Sequence, residues 1–196
     1  IGATDNIYRH QISLASKLHF VASEEFKKRV SQIIDDDRKI YNVGALSLEE
    51  IENLKLPSWD SVRTKFMIPN EPFVLVTFHP ETISVSNNKE FANEIYLALE
   101  SLRNEFHIVV TMTNADAQGS FFRKIMCDLK YLYPRNFSLI ENLGKLNYFA
   151  AMKSCRYLLG NTSSGIIEAA SFKRYVINVG DRQKGRLRSD NVLEVP

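Results

Sequence analysis

Short apolar runs alternate along the chain with longer stretches in which apolar residues recur three or four positions apart. That alternation predicts strands separated by helices, the signature of β-α-β units and a parallel sheet. The predicted strands are Leu18–Ala22, Lys39–Val43, Phe73–Phe78, His107–Met112, Phe137–Ile140, Tyr157–Leu159 and Tyr175–Val179. Phe73–Phe78 is nearly continuous in apolar character, which suits a central strand buried on both faces. Helices are predicted from Ser23, with Glu24 and Glu25 in the first turn, and over Asn88–Arg103, Gln118–Tyr131 and Leu146–Ser154. At Pro57-Ser58-Trp59-Asp60 the proline ends what precedes it, and Ser58 or Asp60 can start another helix. This divides the chain into a segment 1–56 and a domain 57–196. The expected fold class is α/β, a Rossmann-like parallel sheet flanked by helices.

Composition narrows the function classes without naming one. A chain of 196 residues can bury one good core, and 44% hydrophobic with 24% charged residues is ordinary for a soluble α/β domain. No apolar run approaches a membrane span, and the basic residues are interleaved with acids at a net charge of +2. Neither a membrane nor a nucleic-acid partner is expected. The two cysteines, Cys127 and Cys155, lie far apart in apolar helical stretches, with no metal-ligand spacing and no evident secretory signal. They are expected to be buried free thiols of a cytoplasmic protein. Clustered metal ligands and the glycine fingerprint of a dinucleotide site are both missing from the sequence, so no metal and no NAD or other cofactor is expected.

Candidate chemistry concentrates at strand ends. In Leu158-Leu159-Gly160-Asn161-Thr162-Ser163-Ser164-Gly165-Ile166-Ile167-Glu168, an apolar strand passes through a hydroxyl-rich turn into a helix beginning Gly-Ile-Ile-Glu. N–H groups in a first helical turn lack an intrahelical acceptor and sit at the positive end of the helix dipole, so such a turn can hold a phosphate without a lysine. Thr162, Ser163 and Ser164 add hydroxyl donors, and Gly165 allows close approach to the backbone. A helix cap by Thr162 or Ser163 explains the same residues with no ligand. The strand Tyr175–Val179 then runs into Gly180-Asp181-Arg182-Gln183-Lys184-Gly185-Arg186, whose cations follow a strand's carboxyl end, where ligands sit in open parallel sheets. Arg182 is the candidate ligand, whereas Lys184, Arg186 and Arg188 fit a solvated basic loop. His79, in Thr77-Phe78-His79-Pro80, also sits at a strand end, where an imidazole can donate to a pyrophosphate or transfer a proton near neutral pH, or simply satisfy loop carbonyls. Glu168 follows the turn closely, as carboxylates that accept ribose hydroxyls do. His19 and His107 fit strand packing.

Five ordered motifs carry a resemblance: Asp5-Asn6-Ile7-Tyr8-Arg9-His10, Val76-Thr77-Phe78-His79-Pro80-Glu81-Thr82, Thr113-Asn114-Ala115-Asp116, the 158–170 segment, and Gly180-Asp181-Arg182-Gln183. Together they resemble the hydrolysing UDP-N-acetylglucosamine 2-epimerases over essentially the whole chain. The non-hydrolysing cousins typically carry Gly-His-Arg-Arg-Glu-Asn near His79 and Asp-Ser-Gly-Gly where this chain has Thr162-Ser163-Ser164-Gly165, so the hydrolysing branch fits better.

The resemblance implies release of UDP and N-acetylmannosamine through a 2-acetamidoglucal, for sialic-acid-type sugar biosynthesis. It also implies one half of a GT-B-like two-domain enzyme roughly twice this length. Residues 1–56 would then bridge from an amino-terminal domain and 57–196 form the carboxyl-terminal nucleotide-binding domain, inactive alone. It assigns His79 to the diphosphate and Asp5 to acid or base work at the sugar, although Asp5 and Arg9 alone read as an i,i+4 pair on a solvated helix. Phe149 can pack on the uracil, though an aromatic on a helix face is more often core, and Asn114 and Asp116 form a crevice rim. The partner is a nucleotide-sugar, and a homodimer is expected. The alternatives are a non-hydrolysing 2-epimerase, a GT-B glycosyltransferase and a nucleotide-sugar binding module.

Overall fold

The computed structural model describes residues 4–49, 51–80, 88–112 and 120–196, in two compact units, 1–53 and 54–196. The first unit contains α1 (Thr4–Ala15), β1 (His19–Val21), α2 (Glu24–Ile34) and β2 (Ile40–Asn42). Ser23 caps α2 by accepting the Phe26 N–H at 3.1 Å, and Asp35, at φ 51°, ends it. β1 and β2 pair in parallel with His19 opposite Ile40. His19, Val21 and Ile40 point inward, whereas Phe20 and Tyr41 stack on the outer face with ring centroids 5.8 Å apart.

The second unit is built on a six-stranded, all-parallel sheet in the order β5-β4-β3-β6-β7-β8. Its strands are β3 (Phe73–Thr77), β4 (His107–Thr111), β5 (Phe137–Ile140), β6 (Leu158–Gly160), β7 (Val176–Val179) and β8 (Val192–Val195). The helices are α3 (Trp59–Lys65), α4 (Asn88–Leu102), α5 (Ser120–Leu132), α6 (Lys145–Ser154) and α7 (Ser163–Ile167). Every residue of β3 and β4 is buried, as a strand covered on both faces requires. Val74, Val76, Leu99, Ile108, Leu129 and Phe137 form the main core, each large side chain contributing about 1.5–3 kcal/mol by leaving water. Helix α4 packs on α5 and α3 on α6, as expected when right-handed crossovers on either side of the β3–β6 junction cover opposite faces. Trp59 of α3 stacks on Phe73 at 4.5 Å, and Ser58 caps α3 through the Ser61 N–H at 3.2 Å.

Strand order reverses between β3 and β6, so their carboxyl ends open on the crevice that such a reversal creates. Several details differ from the expectations. Strand β8 was not anticipated; three of its four residues are exposed, which leaves little apolar signal. Tyr175 stays outside β7 and is exposed, since the strand begins at Val176. The helix after β6 starts at Ser163, two residues before Gly165, and α7 is only five residues long before it tightens into a 3-10 turn at Ala169–Phe172. Both cysteines are free, but Cys127 is exposed on α5, and Cys155 is buried, which pushes its thiol up to about 12. Among the described residues no helix is long and apolar enough to cross a membrane, and no cluster of His, Cys, Asp or Glu has the makings of a metal site.

Candidate nucleotide site

Three parallel strands deliver the site. β3 leads into Phe78, His79 and Pro80, β6 into Asn161 and the 162–165 turn, and β7 into Gly180 and a 3-10 turn at Asp181–Gln183. β3 and β6 approach so closely that a Cβ on Gly160 would stand 1.9 Å from the Thr77 carbonyl oxygen, and Gly160 has φ 151°. Only glycine fits there. Directly beyond, the Asn161 N–H donates to Thr77 O at 3.2 Å. The Asn161 side chain, buried at 5% exposure, accepts the His79 N–H through Oδ1 at 2.8 Å and donates Nδ2–H to His79 O at 2.8 Å. Its carbonyl accepts from Gln183 Nε2 at 2.8 Å and from Arg182 Nη1 at 3.2 Å. One residue thus holds the His79 loop and the Arg182 turn.

The 162–165 turn has a second polar lattice. Thr162 caps α7, its Oγ1 accepting the Gly165 N–H at 3.1 Å. Thr162 Oγ1 and Ser164 Oγ lie 3.0 Å apart, and Tyr148 Oη on α6 reaches Ser164 Oγ at 2.8 Å. Burial pushes the Tyr148 phenol up, so it remains a neutral hydroxyl at ordinary pH. Ser163 and Ser164, as the first two helical residues, have N–H groups with no acceptor inside the helix. Both are half-buried, and these donors can serve an oxyanion. Gly165 is buried and faces Val176, whose Cγ1 would lie 3.0 Å from an added Cβ. Its missing side chain therefore lets α7 pack on β7.

The other sequence candidates fall as follows. Arg182 is exposed and donates to the Asn161 carbonyl, and Glu168 is buried at 8% exposure where α7 ends. Phe149 is 5% exposed, with its ring 5.3 Å from Phe172 and the Lys145 ammonium 5.8 Å above it, so the apolar-core reading accounts for its surroundings. Lys184 pairs with Asp181 at 3.0 Å and Arg188 with Glu194, so these cations are engaged at the surface rather than simply solvated. Asp5 lies in α1 of the first unit, but its side chain is outside the described residues, as are Glu81, Thr82, Asn114 and Asp116. His107 is buried in the sheet against Ser138, and His19 Nε2 meets Ser13 O at 2.8 Å. Sequence reasoning had given Asn161, Tyr148 and Gln183 no role. The one available signal was Asn161 standing directly after a strand-ending glycine, and the partner of that amide is 82 residues away.

A model of the family described as UDP-N-acetylglucosamine 2-epimerase matches residues 1–196. The chain belongs to this family. Within the 2-epimerases, it is 35% identical over 195 residues to the GDP/UDP-N,N'-diacetylbacillosamine 2-epimerase (hydrolyzing) of Campylobacter jejuni, covering 99% of this chain and 50% of the relative. It is 34% identical over 193 residues to polysialic acid biosynthesis protein P7 of Escherichia coli, covering 98% and 49% respectively. Among solved structures, the Neisseria meningitidis UDP-GlcNAc 2-epimerase bound to UDP-GlcNAc aligns with a TM-score of 0.70 at 21% identity, covering 91% of this chain and 48% of that one. That likeness shows the parallel α/β fold. The chain spans about half the length of the curated relatives it matches.

Proposed function

We propose that a full-length protein containing this 2-epimerase chain is a hydrolysing UDP-sugar 2-epimerase, and that the β3, β6 and β7 crevice is its UDP site. The observation that carries the reading is the convergence of His79, the 162–165 hydroxyl turn and Arg182 on one carboxyl-end crevice. The Thr-Ser-Ser-Gly turn and the Phe-His-Pro-Glu-Thr run favour the hydrolysing branch, as does a relative whose name carries that activity. In this reading Thr162, Ser163, Ser164 and Gly165 border the diphosphate, Arg182 and His79 neutralise it, Glu168 takes the ribose and Phe149 lies near the uracil. Asp5 and His79 supply acid and base functions, with Asp5 contributed by the segment 1–56 that bridges from the amino-terminal domain.

The reaction removes the proton from C2 of an N-acetylated UDP-hexosamine while the C1–O bond breaks and its electron pair leaves with UDP. Water then adds to the resulting 2-acetamidoglucal, placing a hydroxyl on C1 and a proton on the opposite face of C2. Arg182 and the donors of the turn stabilise charge as it builds on the departing diphosphate. UDP-N-acetylglucosamine, giving N-acetylmannosamine for sialic-acid synthesis, is the first substrate to try. A UDP-linked diacetamido sugar is the second, because the Campylobacter jejuni relative is named for one. A cytoplasmic homodimer completes the proposal.

The test is incubation of the full-length protein with each UDP-sugar and no acceptor, reading UDP and free sugar. UDP release matched by a 2-epimerised free sugar is expected. Interconversion of UDP-sugars without UDP release would move the protein to the non-hydrolysing branch. Turnover only when an acceptor is added would make it a glycosyltransferase, and tight UDP binding without turnover a binding module.

A further inference from the structure

Backbone pairing between β3 and β6 stops at Thr77 and Gly160, yet the two chains remain tied for one more residue on each side. The Asn161 carboxamide does this by presenting an acceptor to the His79 N–H and a donor to the His79 carbonyl, the same two complementary bonds that a neighbouring strand would supply. Every hydrogen-bonding group of Asn161 is engaged: its N–H with Thr77, its amide with His79, and its carbonyl with both Gln183 and Arg182. No other short side chain can do the same. Serine or alanine would remove both side-chain bonds to the His79 backbone, and aspartate would pair with the N–H while setting an oxygen against the carbonyl. Asn161 also stands immediately before Thr162, so His79, Arg182 and the hydroxyl turn are all referenced to a single residue.

We propose that Asn161 is the positioning residue of this site, holding His79 and Arg182 in fixed relation to the 162–165 turn without touching the ligand. The proposal deepens the reading of the crevice as a UDP site and rests on it. Its physical content is preorganisation: two groups that must reach the same diphosphate are set before the ligand arrives, so binding orders little. The bond from the Arg182 Nη1 to the Asn161 carbonyl narrows the rotamers that the guanidinium samples.

The test compares wild type, Asn161→Ala and Asn161→Asp in the full-length protein. UDP is titrated by calorimetry at pH 8 and pH 5, and the His79 and His107 imidazole resonances are recorded by NMR without ligand. Losing the two His79 bonds is expected to weaken UDP binding about tenfold in the alanine variant. The aspartate variant should lose a similar factor at pH 8 and regain part of it at pH 5, because burial at this position favours the neutral carboxyl, which again donates to the His79 carbonyl. The titratable groups in contact with position 161, His79 and Arg182, and those on neighbouring elements, Tyr148 and Glu168, are common to all three proteins, so the ratio to wild type at each pH isolates the new carboxyl. In both variants the His79 resonances should move while those of His107 stay.

Unchanged UDP affinity in both variants would overturn the proposal, and so would a loss in the aspartate variant that is equal at the two pH values. Shifts of equal size at His79 and His107 would reduce Asn161 to a general stabiliser and overturn it too. A wild type that does not bind UDP would defeat the functional reading instead, and the His79 resonances would still decide whether Asn161 sets that loop.

Discussion

At the amino end of the six-stranded sheet, His107 opens β4, buried at 3% exposure, and its Nε2 meets Ser138 Oγ at 2.9 Å. At the carboxyl end Asn161 is equally buried, but it spends its side chain on the backbone of another loop. Both arrangements satisfy polar groups taken out of water. They constrain different things. A pair of side chains closes on itself, and replacing both partners by apolar groups of similar shape changes little. A side chain bonded to main chain fixes where a neighbouring segment runs, so removing it strands backbone groups and frees a loop. Among the ligand-binding candidates Asn161 makes the second kind of bond, and the His107–Ser138 pair makes the first.

Changes at the carboxyl end should therefore cost most. Gly160→Ala would drive a methyl into the Thr77 carbonyl at an unfavourable φ, and a loss of about 3 kcal/mol or more in a denaturant titration is expected. A loss below about 1 kcal/mol would mean that β3 and β6 can part easily, and the contrast between the two ends would weaken. Next comes Arg182→Ala, expected to reduce UDP affinity about tenfold or more, since a charge-assisted bond is lost. Arg188→Ala is the control, being paired with Glu194 at the surface, and equal calorimetric losses in the two variants would dissolve the special place given to Arg182.

The amino end is probed by pH. Burial is the main cause holding the His107 imidazole below its ordinary value, with Glu71 opposing the shift. The unfolded chain therefore takes up this proton first on acidification. The stability tied to a neutral His107 is complete above about pH 6.5 and declines as pH falls below that value. His107→Gln, which cannot titrate, should shrink the drop in melting temperature between pH 7 and pH 5; an unchanged drop would show that His107 does not contribute to it. The smallest effect expected is on stability in Arg188→Ala, within about 0.5 kcal/mol, because both members of its ion pair are well exposed. A larger loss would make the β8 edge more than a passive border.

Phe73–Thr77 and His107–Thr111 were legible as strands because fully buried parallel strands leave continuous apolar runs. Ser23 and Ser58 were legible as caps because a cap bonds within its own helical turn. The same locality brought His79, the 162–165 turn and Arg182 into view, each being the first polar stretch after an apolar strand. What escaped was nonlocal. Asn161 acts on a segment 82 residues away, and Tyr148 acts on Ser164 from a different helix. β8 escaped because Leu193, Glu194 and Val195 lie on an exposed edge, where pairing rather than burial defines the strand. Phe20 and Tyr41 read as ordinary strand residues, yet they stack on an exposed face of the first unit, since two paired strands have only one inner side.

The difference between the two cysteines gives a practical handle on this molecule. Cys155 is fully buried with its thiol driven to about 12, whereas Cys127 is exposed on α5, and the sequence has no other cysteine. Thiolate is the reacting species, so at neutral pH burial and its raised value both shield Cys155 from a maleimide, while Cys127 is open to the reagent. These 196 residues can thus carry a single fluorophore or spin label on α5 without any substitution. Slow labelling of a second site then reports directly how often the β6 side of the sheet opens.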